Sequence, residues 1–336
     1  MMGRFRGRMM VTAALATALL ATACGGDSGG SSSEPAGDET LELRLAIGGD
    51  LAIYWHVFVG QQYGVFDKHK VKVTPVVPRT GSSTDMVNLV LSGDADMANS
   101  LPDPALAAAS SGSELRILNF EAPIVFSVVG KSGVESYDDL PQNFKVGVSS
   151  PTTSIAAFSR LLLDNAGIAE DRYSFVTTGG TAARLAALKS GAVDIAVLAQ
   201  PADFKAEASG MKVLDYTVKS APWYGITDIV QAESLEDENT CSALGRYFDA
   251  LREISEFLAD PANKEKAIAA LVETGNNSES DAKSTYDLYT DQGAMMGIND
   301  PLETLKGTND LLAGVGAPTA PDPSAMVSTD CTSDKS

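Results

Sequence analysis

The side chains that could carry out covalent or metal chemistry are few and lie far apart in the sequence. The chain has two histidines, His56 and His69, and three cysteines, Cys24, Cys241 and Cys331. No cysteine lies in a Cys-x-x-Cys pair or beside a histidine, and His56 has no partner in motif spacing, so neither a metal site nor a catalytic triad is indicated. The motifs of serine hydrolases, zinc proteases, P-loop proteins and dinucleotide-binding enzymes do not occur. The sequence therefore predicts a protein that catalyses nothing and needs neither a cofactor nor a metal.

A second set of polar and aromatic side chains suits the reversible binding of a small molecule. They fall in loops that follow predicted strands or begin predicted helices, and open α/β sheets bind ligands beyond the carboxyl ends of their strands. Arg79 is the only cation beside these loops, so it is the expected counter-charge for a sulfonate or carboxylate; otherwise it is a solvent-exposed residue at a strand end. The predicted ligand-binding residues are Asp50, Tyr54, Trp55, His56, Arg79, Asn99, Ser100, Thr152, Thr153, Ser154, Gln200, Trp223 and Tyr224.

Most of these residues, and their neighbours, have a structural alternative to ligand contact. Ser82 and Ser150 are placed to cap helices, with Pro151 in the first turn after Ser150, and capping is the preferred role of both serines. For Thr152 and Thr153, capping and ligand contact are equally compatible with the sequence, because unpaired N–H groups at a helix start bind anions. The aromatic residues could wall the cleft by stacking or could fill the core.

The elements that must position these loops alternate between strands and helices. Residues 41–47 alternate apolar and polar positions, whereas residues 83–91 repeat apolar positions with helical spacing. Such alternation is typical of α/β sheets with largely parallel strands. The predicted strands are 41–47, 71–77, 145–148, 174–177 and 194–198; the predicted helices are 57–66, 83–91, 155–166 and 181–190, followed after residue 240 by 242–258, 263–272, 281–289 and 301–312.

An internal repeat suggests two lobes of similar construction. The segment Leu89–Asp96 recurs 98 residues later as Ala187–Asp194, and in each copy an amphipathic helix ends on Ser-Gly and is followed by a short apolar strand. Glycine at that place predicts a helix C-cap with positive φ, and the aspartate that ends each segment predicts the start of the strand.

The N-terminus has the features of an export signal. Three arginines precede the apolar stretch Met9–Leu20, which is too short to span a membrane. The following residues, Ala21-Thr22-Ala23-Cys24, resemble the lipobox at which bacterial lipoproteins are lipidated and cleaved. We therefore expect a signal peptide over 1–23, a diacylated Cys24 that anchors the protein to the outer face of the cell membrane, and a flexible tether over 24–40. The alternative is an ordinary signal peptide cut near Ala23.

Charge and cysteine content set two further limits. The net charge is −19, and no basic run occurs outside the predicted signal peptide, so nucleic acid is excluded as a partner. If Cys24 is lipidated, Cys241 and Cys331 remain as an even pair in an oxidising compartment, which predicts a disulfide that ties down the C-terminal tail.

Several motifs in consistent order carry a family resemblance. Gly64–Val73 and Tyr137–Leu140, the latter followed by Lys145–Val148, resemble segments of the NMT1/SsuA-like binding proteins, which serve importers of nitrate, sulfonates, taurine and thiamine-precursor pyrimidines. Ala166–Ile168 and Ala187–Asp194, with Gln200 and Pro201 after them, resemble later landmarks of the same family.

The resemblance implies a periplasmic-binding-protein type II fold: two α/β lobes joined by a two-strand hinge, with extra C-terminal helices. Lobe 1 is then expected over 41–125 and 226–336 and lobe 2 over 126–225, with the hinge strands near 122–129 and 223–230. It implies a monomeric, extracytoplasmic solute-binding protein that delivers a small molecule to an ABC permease with its cytoplasmic ATPase. A sensor that presents the ligand to a receptor is the first alternative, and an enzyme similar to thiamine-pyrimidine synthases is the second.

Overall fold

The computed structural model describes residues 39–221 and 224–332. The predicted signal peptide, Cys24, most of the predicted tether and Trp223 lie outside the described residues. None of the described helices is long and apolar enough to cross a membrane.

The described chain alternates strands and helices up to residue 231 and is then almost entirely helical. The strands are β1 (Leu41–Ala46), β2 (Val71–Val76), β3 (Met97–Ser100), β4 (Leu115–Pro123), β5 (Ser127–Gly130), β6 (Phe144–Val148), β7 (Tyr173–Thr177), β8 (Ile195–Leu198), β9 (Lys212–Tyr216) and β10 (Gly225–Gln231). The α-helices are α1 (Trp55–Gln62), α2 (Val65–Lys68), α3 (Ser83–Leu91), α4 (Asp103–Ser110), α5 (Ser154–Asn165), α6 (Thr181–Lys189), α7 (Ala202–Glu207), α8 (Glu238–Ala259), α9 (Lys264–Glu273), α10 (Glu279–Asp291) and α11 (Leu302–Ala313).

The strands form two five-stranded sheets with the same topology. The first sheet has the order β2-β1-β3-β10-β4 and the second the order β7-β6-β8-β5-β9. In each sheet the first three strands are parallel, and the fourth strand is antiparallel to both of its neighbours. We refer to each sheet with its packed helices as lobe 1 and lobe 2. The chain crosses between the lobes twice: from β4 to β5, within the predicted hinge segment 122–129, and from β9 to β10, at the start of the predicted segment 223–230, most of which is strand β10 of lobe 1.

The internal repeat marks equivalent places in the two lobes. Gly93 and Gly191 have φ values of +75° and +71°, so both helices end on a left-handed residue as predicted. Asp96 accepts a hydrogen bond from the backbone N–H of Arg44 in β1, and Asp194 accepts one from the backbone N–H of Lys145 in β6, each at 2.7 Å. Each aspartate therefore fixes the start of its strand beside the neighbouring parallel strand.

The helices after residue 231 build most of the outer part of lobe 1. Helix α1 packs against α8 and α9, and its residues from Trp55 to Gly60 are buried. A disulfide joins Cys241, in the first turn of α8, to Cys331, with a separation of 5.1 Å between the Cα atoms. The C-terminal segment is thereby tied to lobe 1.

Two local predictions are wrong. The predicted helix over 57–66 is divided into α1 and α2, because Gly64 adopts a left-handed conformation with φ of +65° between them. Ser150 is not the N-cap of α5: that position is held by Thr153, whose hydroxyl donates to the carbonyl of Ser150 at 2.7 Å. Residues 150–153 form a turn before the helix instead of its first turn, since the amide of Thr153 also donates to Ser150.

Candidate ligand-binding site

The lobes meet at the carboxyl ends of the parallel strands, where two chambers lie side by side. The inner chamber has a volume of about 40 Å³, and the outer chamber has about 330 Å³. Leu51, Gly81 and Thr181 belong to the walls of both chambers. Loops after β1, β2, β6, β7 and β8 supply most of the remaining walls, which is the position where sheets of this kind bind ligands.

The lobes are closed on one another. The amide of Ala52 in lobe 1 donates to the carbonyl of Gln200 in lobe 2 at 3.1 Å, and the amide of Ser154 in lobe 2 donates to the carboxylate of Asp103 in lobe 1 at 3.1 Å. Gly180, the N-cap of α6, lies so close to lobe 1 that a Cβ atom there would be 2.5 Å from the carbonyl oxygen of Thr80. A ligand in the inner chamber would be enclosed by both lobes.

Arg184 on α6 is the main charged group of the inner chamber. Its side chain is only 3% exposed, yet its hydrogen bonds go to neutral oxygens alone. Nε donates to the carbonyl of Val197 at 2.6 Å, and Nη1 donates to the carbonyl of Gly179 at 2.6 Å. Nη1 also donates to the hydroxyl of Ser149, and Nη2 to that of Thr181, both at 3.1 Å.

The electrostatic state of Arg184 follows from this environment. Burial lowers its pKa from 12.5 to about 10, so the guanidinium still carries its charge at neutral pH. Among the described residues no carboxylate is bonded to it, and its four hydrogen bonds leave one N–H of Nη2 for another acceptor. A buried cation without an anion is costly, so the chamber favours a negatively charged ligand group.

Two helix N-termini border the same chamber. Helix α3 begins after Ser82, whose hydroxyl accepts from the amide of Asp85 at 3.2 Å, and Ser82 itself lines the chamber. Helix α6 begins after Gly180, which offers no side-chain oxygen to the amides of the first turn. The positive ends of both helix dipoles add to the charge of Arg184.

Three of the predicted ligand-binding residues line the chambers. Tyr54 lines the inner chamber, where its hydroxyl lies 3.6 Å from the sulfur of Met86. Asp50 and Arg79 line the outer chamber and are exposed. The ligand roles of these residues remain predictions, but their positions agree with such roles.

Five of the predicted residues lie around the closed cleft but line neither chamber. Gln200 is buried and donates to Ser127 and Asp203 in lobe 2 at 3.2 and 2.8 Å. Ser154 and Tyr224 share a hydrogen bond of 2.5 Å between their hydroxyls. Thr152 is exposed, and Thr153 lies at the N-cap position of α5, where its hydroxyl donates to the carbonyl of Ser150 and accepts from no amide of the first turn. Ligand contact by either threonine stays a prediction.

The remaining predicted residues with described positions are buried within lobe 1. Trp55 is fully buried, donates its indole N–H to the carbonyl of Ala267 at 2.8 Å and meets two tyrosine rings of α10 edge-on. Core packing therefore describes Trp55 better than stacking on a ligand, because α9 and α10 cover the face of α1 that carries this side chain. His56, Asn99 and Ser100 are likewise 0% exposed. Burial lowers the pKa of His56 to about 3, so it is neutral.

The sequence analysis missed the residues that contribute most to the closed cleft. Arg184 lies in the segment Thr181–Lys189, where an arginine among alanines resembles any exposed position of an amphipathic helix. Gly180 and Lys205 were also missed, although the pair Gly179-Gly180 directly before a helix was a usable sign of a close backbone approach.

Solved structures with this fold include several solute-binding proteins. The ligand-binding component of an ABC-type import system from Staphylococcus aureus, solved with zinc bound, has a TM-score of 0.71 and 13% identity over 88% of this chain and 99% of that one. The alkanesulfonate-binding protein SsuA from Xanthomonas axonopodis pv. citri, bound to MOPS, has a TM-score of 0.69 and 14% identity over 86% and 99%. The nitrate-binding protein NrtA from Synechocystis has a TM-score of 0.62 and 14% identity over 88% and 87%. At these identities the likeness shows the fold.

The two like sheets, the double crossing and the cleft at the strand ends define a periplasmic binding protein of type II, which confirms the predicted fold class. The NMT1/THI5-like family model matches residues 54–238, and the chain belongs to that family. A comparison with curated protein sequences finds no match.

Proposed function

We propose that this protein is the extracytoplasmic solute-binding component of an ABC importer and captures a small organic anion between its lobes. It would act as a monomer, held at the membrane by lipid on Cys24, and would deliver the solute to a permease driven by a cytoplasmic ATPase. Lobe 1 would comprise 41–125 and 226–336 and lobe 2 126–225, so that hinge motion at the two crossings opens and closes the cleft. No step of this cycle requires catalysis by the protein.

The observation that carries the proposal is the buried charge of Arg184. The guanidinium is enclosed and bonded only to carbonyl and hydroxyl oxygens, so an anionic group of the ligand would neutralise its charge and accept its remaining N–H. An anion is favoured over a neutral heterocycle because the charged Arg184 lines the inner chamber, whereas Trp55 is enclosed in the core of lobe 1 and Tyr54 is the one predicted aromatic residue in the wall. The inner chamber has room for about three water molecules, which is close to the size of a carboxylate or sulfonate group.

A thermal-shift screen of the purified protein tests the proposal. The panel contains sulfonates, taurine, nitrate, carboxylates, pyrimidines, flavins and aromatic acids, and a ligand at 100 times its Kd adds roughly 2.7 kcal/mol of stability. We expect small organic anions to stabilise the protein and to be recovered unchanged. Stabilisation by neutral heterocycles alone, or recovery of an altered compound, would contradict the proposal.

Arg184→Lys should weaken the binding of any anion found in this screen about tenfold, because lysine keeps the charge but cannot reproduce the planar fork of N–H groups. Isothermal titration calorimetry gives the affinity. The matched control is Arg172→Lys, since Arg172 is another lobe 2 arginine that donates to a carbonyl, that of Leu140 at 3.1 Å, but does not line the cleft. Equal affinities for both variants would mean that the guanidinium does not contact the ligand.

A further inference from the structure

The outer chamber has its own charged and apolar groups, which the proposed capture of one anionic group does not use. Arg79 from lobe 1 and Lys205 from lobe 2 both line it, and both side chains are exposed. Within the described part of the chain, no carboxylate forms an ion pair with either cation. Asp50 is the one carboxylate in this wall, and it accepts from the amide of Asn276 at 3.4 Å.

The rest of the outer wall is largely apolar. Val77, Pro78 and Leu185 line it, and Val77 is 55% exposed, so its side chain is open to contact with a bound solute. Its volume of about 330 Å³ lies within the range of small-molecule sites, whereas the inner chamber, at about 40 Å³, holds only a head group. Most of a bound solute must therefore lie in the outer chamber.

The charge of the two chambers opposes that of the whole molecule. Arg79, Arg184 and Lys205 outnumber Asp50, so the lining carries a net charge of +2, although the chain carries −19. Such a local reversal focuses negatively charged solutes into the cleft. A solute with a single negative group would leave part of this charge unused.

We propose, on the basis of the proposed function, that the solute is an elongated dianion. One anionic group lies in the inner chamber against Arg184, an apolar chain lies along Val77, Pro78 and Leu185, and the second anionic group lies between Arg79 and Lys205. Because Arg79 and Lys205 belong to different lobes, the second group also holds the closed form together.

Matched pairs of probes test this assignment. Alkane-α,ω-dicarboxylates and alkane-α,ω-disulfonates of two to eight carbons are compared by calorimetry with the monocarboxylates and monosulfonates of the same length. We expect one chain length of dianion to bind at least tenfold more tightly than its monoanion, and its affinity to fall more steeply with salt. Arg79→Gln and Lys205→Gln should each remove most of that preference, because each variant weakens the binding of the dianion far more than that of the monoanion.

The control is Lys189→Gln, which removes an exposed cation from the far end of α6, away from both chambers. One contrary result is that dianion and monoanion bind equally well, with parental affinities in both Arg79→Gln and Lys205→Gln. That result would overturn the anion site proposed in the outer chamber and leave the proposed function standing. If no member of either series binds but another solute in the screen does, the dianion assignment is wrong. If no solute of any class binds, the proposed function itself fails.

Discussion

Gly180→Ala should lower the affinity for any cleft ligand about 100-fold without unfolding the protein. The added Cβ would lie 2.5 Å from the carbonyl oxygen of Thr80 and 2.9 Å from that of Gly81. Both atoms belong to the backbone of lobe 1, so the clash is relieved only if the lobes move apart. Closing the lobes then costs additional free energy, so the closed state is less populated. The apparent affinity falls in proportion to that population.

The substitution is compatible with lobe 2 on its own. Gly180 has φ of −70° and ψ of 178°, an extended conformation that any residue adopts. Urea unfolding should therefore give a stability close to that of the parent, while calorimetry shows the loss of affinity and small-angle scattering shows a larger radius of gyration with ligand present.

Gly314→Ala is the matched control for Gly180→Ala. Gly314 also has a negative φ, of −60°, and a Cβ there would meet nothing closer than 3.5 Å. A Gly180→Ala protein that binds with parental affinity and stays compact would show that ligand binding does not require this closed contact.

Local signals in the sequence were sufficient to predict much of the fold. Helix α3 was predicted with its observed bounds, because Ser82 is a strong N-cap and Ser-Gly a strong C-cap signal. The repeated Ser-Gly followed by aspartate predicted two similar lobes, and the equivalent backbone hydrogen bonds to Asp96 and Asp194 explain why it recurs. Each of these signals acts within a few residues or between neighbouring strands.

The site was harder to predict because its residues are set by contacts between distant segments. The sequence could not show whether Trp55 faces the cleft or the core, since every residue from Trp55 to Gly60 is buried and α1 has no polar face to orient it. The burial of Arg184 depends on the carbonyl of Val197 in the next strand and on closure of lobe 1 over α6. Neither contact leaves a periodic signal in the sequence.

A cluster of buried polar residues in lobe 1, near the crossing from β4 to β5, also could not be predicted from the sequence. Asn99 donates to Glu121 at 2.7 Å and to Asp228 at 2.8 Å, and His56 lies 3.4 Å from Glu121. Glu121 is the extra residue of a β-bulge in β4, because Ala122 and Phe120 pair with consecutive residues of β10. Bulges redirect side chains, and this one turns a carboxyl group into the core of lobe 1 just before the chain crosses to lobe 2.

The cluster holds two carboxyl groups in a site that disfavours charge. The pKa of Glu121 is raised well above its usual value, mainly by burial and to a smaller extent by repulsion from Asp228. Burial also raises the pKa of Asp228 to about 6. Oε2 of Glu121 is buried and has no hydrogen-bond partner among the described residues. Neutral His56, 3.4 Å from Oε2, supplies no positive charge to stabilise a carboxylate there, and protonated Glu121 is therefore the form that the folded protein favours.

Glu121→Gln should make the protein more stable than the parent, by an amount that grows with pH. Folded Glu121 keeps its proton above pH 4.5 whereas the unfolded chain releases it, so the stability that it contributes is full below pH 4.5 and is lost as the pH rises through the folded pKa. Glutamine keeps the acceptor for Asn99, offers an N–H to His56 and cannot ionise. The difference in free energy of unfolding should therefore grow by about 1.4 kcal/mol for each pH unit between 4.5 and the folded pKa of Glu121.

Urea unfolding of the parent and of Glu121→Gln at pH 5, 6, 7 and 8 measures this difference directly. His56 has the opposite effect on the pH dependence. Because burial lowers its pKa, the folded protein loses stability as the pH falls below 6.5, but parent and variant share that contribution. Glu256→Gln, on the exposed face of α8, is the matched control, because it removes a carboxylate outside the cluster. A Glu121→Gln protein that is less stable than the parent at pH 8, or a difference that does not change with pH, would mean that Glu121 is ionised in the folded protein and that the cluster stabilises its charge.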